Sequence, residues 1–520
     1  SGRPETLEAK KQRYLQSVPK DGLAISEAEY PELYAMLSRN DYLGLANALG
    51  NPRGMAYGSI GYPDDPARAY YLATSSGAPD PEHMAGDIQL FLAMKAGDVA
   101  KAQELVHQRK VVLNRAGNQA TYGKPPLHLV FDERFTFPRQ DELAIMLLKA
   151  GADPNIANDR EESALVAVLS STREIPKRRE IVEAMLKAGA DPNAASPGGR
   201  TPLKAVIGSG IDSKRDYIAL LMKQGANPDK PDPSGKTLVQ EVVSFTAGTG
   251  QAVFEDQAIE ILGLIITPKT NLNAKTKEGK TALGIAFLGR RPKVVAFLQS
   301  KGGTDYGFKN PGYDVTKAGS VTVFGLYSQD IYALDREQCL FILDQYGVEY
   351  EVLGKTPGVE IPIQLKSPIS GIAYRHVAGN KQFSIMDCRL AMLLIGWAPI
   401  LKQHKIKAII HMRAYSPGAR VGGHGRVSGH DSALAIDVSN VIYENQSELT
   451  VKGDWSDHRK LDPCAEGLPQ QTVKERELRK LACDTGNFDL FSVILSPHYN
   501  KDHYDHLHME LDPKQMQYMR

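Results

Sequence analysis

The chain has 520 residues, too many for one hydrophobic core, and at roughly 100–200 residues per domain two to four domains are expected. Apolar residues at 42% and charged residues at 24% exclude global disorder. Sixty-two Lys and Arg against 61 Asp and Glu leave a net charge of +1, without the basic stripe that nucleic-acid binding needs and without an acidic tail.

Residues 1–84 predict a helical region that caps the repeats beginning near residue 85, with Glu27–Leu37 and Ala67–Ala73 as candidate helices around a Gly- and Pro-rich stretch, Gly54–Asp65. The opening carries no apolar signal-peptide core. Ser1-Gly2 looks like a cloning remnant, so export stays open. No run approaches 18 apolar residues, and Leu390–Leu401 is interrupted by Gly396 and Pro399, so no membrane span is expected.

From about residue 85 to 308 the chain repeats itself. Gly151-Ala152-Asp153-Pro154-Asn155 recurs at Gly189–Asn193 and, as Gly-Ala-Asn-Pro-Asp, at Gly225–Asp229, in steps of 38 residues (151 to 189) and 36 (189 to 225). A second marker keeps phase: Pro125-Pro126-Leu127-His128, Ser163-Ala164-Leu165, Thr201-Pro202-Leu203, Lys236-Thr237-Leu238 and Thr281-Ala282-Leu283. The physical logic is local. Glycine ends a helix left-handed, Asp/Asn-Pro turns the chain, and Thr-Pro caps and opens the next helix. About six such units resemble ankyrin repeats, whose stacked arrays bind protein partners. Excess residues at Arg173–Arg179 and Phe245–Asp256 are expected in loops or lengthened helices.

Residues 309–330, with Asn310-Pro311-Gly312, predict a linker, and 331–520 a separate α+β domain. There Arg336–Gly347 and about Met386–Ile406 predict helices, while Val348–Leu353, a strand starting at Ala408, Ala435–Ser439 and His506–Leu511 predict strands. Trp455, within the charged stretch Lys452–Arg459, predicts a solvated loop. All four cysteines, Cys339, Cys388, Cys464 and Cys483, lie here without CxxC spacing. Two disulfides and four buried thiols are both possible, with three connectivities open. The even count favours an exported, periplasmic or extracellular protein.

Seven of the 13 histidines fall in the last hundred residues. Two segments stand out: Ser428-Gly429-His430 through Asp437, and Ser496-Pro497-His498-Tyr499-Asn500 leading to Asp505-His506-Leu507-His508. On a strand His506 and His508 share a face. A catalytic zinc takes three N/O ligands and leaves one position open, and His430, Asp437 and one or both of His506 and His508 supply that set. The paired motifs resemble the LAS metallopeptidases (lysostaphin, D-Ala-D-Ala peptidases, sonic hedgehog). More closely, Asp335–Asp512 resembles the bacterial extensin-like C-terminal family, on Cys339-Leu340, Gly347-Val348, Cys388–Ala391 and the two histidine segments.

The resemblance implies His430, Asp437 and His508 as Zn2+ ligands and Asp505 as the catalytic carboxylate. It implies that His506 orients water or the oxyanion. Strict strand alternation would turn Asp505 away, and then His506 becomes the base. Arg413 and Arg420 stand where relatives use a cation on substrate or oxyanion, with surface salt bridges as the alternative reading. His503 is expected beside the ligands and His424 on a rim. Two departures are visible: Ala433 replaces a usual glycine, and Val359 and Pro417 stand where relatives often carry cysteines, as though one disulfide had been lost. The expected architecture is therefore an all-α ankyrin solenoid followed by an α+β LAS-type domain with a small antiparallel sheet. The expected function is a zinc peptidase cutting bacterial peptidoglycan stem or cross-link peptides, the repeats holding a protein partner. The alternative is an adaptor whose metal-bound LAS-like domain is inactive.

Overall fold

The computed structural model describes residues 90–520 except 92, 109–110, 112, 115–124, 134, 159, 245–250, 310–311, 421–426, 456–461, 468–470, 513–517 and 520. The expected N-terminal cap, His424 and the stretch Ser456–Arg459 lie outside the described residues. The chain forms two compact units, residues 1–233 with 260–270, and 234–259 with 271–520.

The first unit stacks helical hairpins. Its helices are α1 (Val99–His107), α2 (Pro126–Val130), α3 (Gln140–Lys149), α4 (Ala164–Ser170), α5 (Arg178–Lys187), α6 (Pro202–Gly208) and α7 (Lys214–Lys223). The short helices α2, α4 and α6 pack on one another in order, as do the longer α1, α3 and α5. Ser163 and Thr201 cap α4 and α6 by accepting the Val166 and Lys204 N–H groups. Gly151, Gly189 and Gly225 sit at φ of 96°, 89° and 90°, where only glycine is unstrained.

The repeated Asp and Asn do different work. Asp153 accepts the Asn155 N–H within its own turn at 2.9 Å. Asn155 then reaches into the next hairpin, donating to the Gly189 carbonyl at 2.8 Å and accepting the Asp191 N–H at 2.7 Å. Asn193 repeats the bridge to Gly225 and Asn227, and Asn114 makes it to Gly151 and Asp153. Each bridge satisfies backbone groups that a helix end leaves unpaired. This ladder makes the N-terminal part an ankyrin-like helical repeat fold.

The second unit holds α8 (Leu238–Ser244), the start of α9 (Gln251–Ile265), α10 (Ala282–Leu288), α11 (Pro292–Ser300) and the whole C-terminal region. Its last repeat is fused to that region. Phe341, on α13 (Arg336–Tyr346), packs on Phe287 and Tyr306 at centroid distances of 4.4 and 4.7 Å. Gln338 donates to the Leu288 carbonyl at 3.0 Å. The stretch expected as a linker does not hang free either: Val321, Val323, Phe324 and Leu326 enter the C-terminal core, and Tyr313 donates to the Gly396 carbonyl at 2.9 Å. Its apolar side chains drive that burial, which the Pro-Gly signal does not announce.

The C-terminal region surrounds α14 (Cys388–Gln403), a 16-residue helix buried on nearly every side. Around it lie α12 (Ser328–Tyr332), α13, α15 (Val451–Asp454) and α16 (Val473–Gly486). Gly396 of α14 gives close approach, since a Cβ there would collide with Val323 Cγ2. A small sheet joins β1 (Tyr350–Val352), β2 (Pro362–Leu365) and β4 (Met386–Asp387). The main sheet joins β3 (Ala373–His376), β5 (Ile406–Arg413), β6 (Ala435–Tyr443), β7 (Glu448–Thr450), β8 (Val493–Leu495), β9 (Leu507–Glu510) and β10 (Tyr518–Met519). Its order is β10-β8-β9-β6-β5-β3, with β7 on β6. The sheet expected as antiparallel is mixed, because the outer strands β3 and β10 run parallel to their neighbours.

The cysteines pair as Cys339–Cys388 and Cys464–Cys483. Trp455 is not on a solvated loop. It is fully buried, donates to His498 Nε2 at 3.2 Å, and lies under the Arg479 guanidinium. Among the described residues no helix is long and apolar enough to cross a membrane.

Candidate metal centre

Three strands bring the site together through their register. Arg413 of β5 lies opposite Asp437 of β6, and Asp437 lies opposite His508 of β9. His430 arrives on the turn before β6. That turn is pinned from several sides: the Ser416 N–H donates to the His430 carbonyl at 2.8 Å, the Asp387 N–H to Ala433 at 2.9 Å, and the Leu434 N–H to Gly429 at 2.9 Å. Asp387 is itself fixed, capping α14 and pairing with buried Arg389 at 2.8 Å. Ala433, which stands where the resemblance led a glycine to be expected, takes φ of 54° in the left-handed region, a conformation that glycine adopts without strain. Where a disulfide was expected to have been lost, Val359 packs with Tyr415 and Ala433, and the Tyr415 hydroxyl donates to the Pro357 carbonyl at 2.9 Å.

His430, Asp437 and His508 are all buried and offer ligand atoms within 4.8 Å of one another. His430 Nε2 lies 2.9 Å from Asp437 Oδ1 and 3.2 Å from His508 Nδ1, and His508 Nδ1 lies 2.9 Å from the same oxygen. Ligands at about 2.0–2.1 Å from a tetrahedral ion sit roughly 3.3 Å apart, somewhat wider than these hydrogen-bonded atoms, so the set could hold a metal ion after a small outward shift. The ring nitrogens turned away are also engaged: His430 Nδ1 faces the Ala414 carbonyl at 3.4 Å, and His508 Nε2 faces Glu510 Oε2 at 3.0 Å. With a metal ion bound, each bond would hold the tautomer whose other nitrogen carries a lone pair toward the ion.

Charge supports the same fit. Burial alone would raise the Asp437 carboxyl, but the His430 and His508 imidazoles outweigh it and hold the group well below the ordinary carboxylate range. Burial would likewise lower His508. Hydrogen bonds to Asp437 and Glu510 dominate and push it up to about 9. Two buried carboxylates facing two imidazoles make a pocket that favours positive charge and could hold a cation.

The remaining site residues are sorted by the same geometry. His506 precedes β9, with Nε2 3.5 Å from Asp437 Oδ1. Asp505 sits in the turn before the strand, so alternation does not turn it away, and its Oδ1 lies 2.8 Å from His506 Nδ1. Its oxygen is thus engaged by His506. Arg413 holds Asp437 Oδ2 at 3.1 Å. Arg420 pairs its backbone with Val427 across residues 421–426. His503 packs its ring 5.0 Å from His506 and 5.8 Å from His508. Asn500 Oδ1 accepts both the Asp502 N–H and the His503 Nδ1 proton, and burial, with the neighbouring imidazoles, lowers His503 to about 4. His498 is tied to Trp455. Glu510 does not stand out in the sequence. The available signal is its place two residues after His508 on one strand face.

No curated protein sequence matches the chain. Among solved structures, an ankyrin repeat protein designated EF0377 is 21% identical, with a TM-score of 0.32 and coverage of 40% of this chain and 96% of its own. The ankyrin repeat domain of Bcl-3 is 21% identical at TM-score 0.34, covering 43% and 90%. An ankyrin repeat domain from Acinetobacter baumannii is 20% identical at 0.33, covering 41% and 97%. Residues 337–520, which contain every residue of the candidate centre, match the family described as "Extensin-like protein C-terminus".

Proposed function

We propose that the C-terminal region is a zinc-dependent peptidase acting on bacterial cell-wall peptides, and that the repeats hold a protein partner. One observation carries the reading: a buried His430–Asp437–His508 set has an Asp505–His506 pair directed at it. A zinc ion held there supplies a Lewis acid and an acidified water. In this reading His506 Nε2, 3.5 Å from Asp437 Oδ1, would take a proton from the attacking water and return it to the leaving amine. Asp505 fixes the His506 tautomer and steadies the imidazolium as it forms, so it acts through His506. Arg413 anchors the second oxygen of Asp437 and leaves Oδ1 for the ion. The choice of peptidoglycan stem or cross-link peptides follows the LAS resemblance of the two histidine segments. The two disulfides support an exported, periplasmic or extracellular setting.

The test is metal analysis with a digest of purified muropeptides resolved by mass. About one zinc per chain and a cleavage product are expected from the native chain. His508→Ala should lose both. Asp505→Ala and His506→Ala should keep the metal and lose about 100- to 10,000-fold in rate. Identical product patterns from the native chain and all three variants would leave an inactive adaptor, and absence of metal would overturn the zinc reading itself.

A further inference from the structure

Glu510 is a buried carboxylate beside the ligand set. It ends β9 two residues after His508, so the two side chains share one face of the strand, and they are 7% and 8% exposed. Its backbone is held from both sides, opposite Ala435 of β6 and Val493 of β8. The carboxylate therefore stands on a fixed base in the middle of the sheet.

Its surroundings explain a glycine. A Cβ on Gly429 would meet Glu510 Cδ at 2.6 Å and Oε1 at 2.8 Å, and Gly429 does not lie in the left-handed region. Glycine is needed there for space alone. The turn that carries His430 thus rests directly on the carboxylate that holds His508. The two histidines are also held unequally: His508 has a charged acceptor at 3.0 Å, while His430 has a carbonyl at 3.4 Å. Charge-assisted bonds are the stronger kind.

We propose that Glu510 is a positioning residue for the metal centre. It fixes the tautomer and ring plane of His508, and its contact with Gly429 sets the height of the turn that presents His430. Loss of this carboxylate frees His508 to take the tautomer whose proton points at the centre, which cannot bind an ion. The proposal rests on the zinc reading above.

The experiment uses the full chain and reads zinc affinity by chelator competition, with the visible spectrum of the cobalt-substituted protein as a second signal. Glu510→Gln keeps the volume and removes the charge, and should weaken zinc binding about 10- to 100-fold and shift the cobalt bands. Gly429→Ala pushes on the carboxylate from the other side and should weaken binding in the same direction. The double variant should bind no more weakly than the worse single one, because both changes act through one contact. Thermal melts of the metal-free proteins separate lost folding from lost affinity. Zinc affinities and cobalt spectra of both single variants matching the native chain would overturn the role of Glu510 and leave the zinc reading intact. A native chain that takes up no zinc would overturn both.

Discussion

Ala433 offers a sharp test of how the His430 turn is built. The residue sits at φ of 54° with its methyl fully buried against Val359 and Tyr415. Ala433→Gly sets opposing effects against each other. An L-residue in the left-handed region carries about 1–2 kcal/mol of strain, which glycine removes. Deleting the buried methyl forfeits about 0.8 kcal/mol of transfer energy and leaves a small cavity. Glycine also adds entropy to the unfolded chain, worth about 0.5–1 kcal/mol. These terms nearly cancel, and the expected change is within about 1 kcal/mol of zero. Ala433→Val should behave differently. A β-branched side chain adds backbone strain, and overpacking a site with no free surface costs about 1–3 kcal/mol more. Urea denaturation of the metal-free chain, followed by far-ultraviolet circular dichroism, measures both. A loss above about 2 kcal/mol for the glycine variant would show that the methyl, not the backbone, governs this turn. A valine variant as stable as the native chain would refute the strain argument outright.

Two further outcomes test the scaffold. Asn193→Ala removes one donor and one acceptor from the ladder, unpairing the Gly225 carbonyl and the Asn227 N–H. With solvent able to replace both, a loss of about 1–2 kcal/mol is expected in urea melts, and no loss would mean that the ladder only accompanies the stacking of the helices. The Cys464–Cys483 bridge spans 19 residues. Replacing both cysteines by serine should lower stability by about 3 kcal/mol in the chain-entropy account. A reductant should lower the native chain by more than it lowers the serine variant, in which only the Cys339–Cys388 bridge is left to open.

The repeats are legible because each residue of their motif acts locally. Gly151, Asp153 and Asn155 fix a helix end, a turn and a bridge within a few residues of themselves or at the same place in the next unit. His430, Asp437 and His508 can be found as paired motifs for a similar reason, since donor type and spacing appear within short segments. What the sequence hides depends on pairing between distant strands. Arg413 meets Asp437 only because β5 and β6 take one register out of several, with bulges between Ile410 and Arg413 that no alternation pattern announces. The parallel placement of β3 and β10 is equally non-local. Trp455 misleads for another reason: its charged neighbours suggest solvent, while Arg479, paired with Glu475, lies far along the chain and closes over the ring. Asp505 escapes the alternation rule because the regular strand starts only at Leu507.

The proposed ligands are spread across the whole domain. His430 stands on a turn, while Asp437 and His508 stand on neighbouring strands whose side chains have no freedom to search for an ion. The turn is the adjustable part, and it is the part most heavily secured: by Asp387 at the head of α14, by Ser416 after β5, and by Glu510 from below. Each of those supports is held in turn by buried contacts, Arg389 for Asp387 and the Val359–Tyr415 pair for the chain around Ser416. A few tenths of an ångström at the turn changes the spacing of His430 from the other two ligands. The site's rigidity therefore comes with the burial of three carboxylates in one domain: Asp387 beside Arg389, Asp437 beside Arg413 and two imidazoles, and Glu510 beside His508. Such a cluster contributes little to folding by itself, which fits the proposal that His430, Asp437 and His508 hold a metal ion.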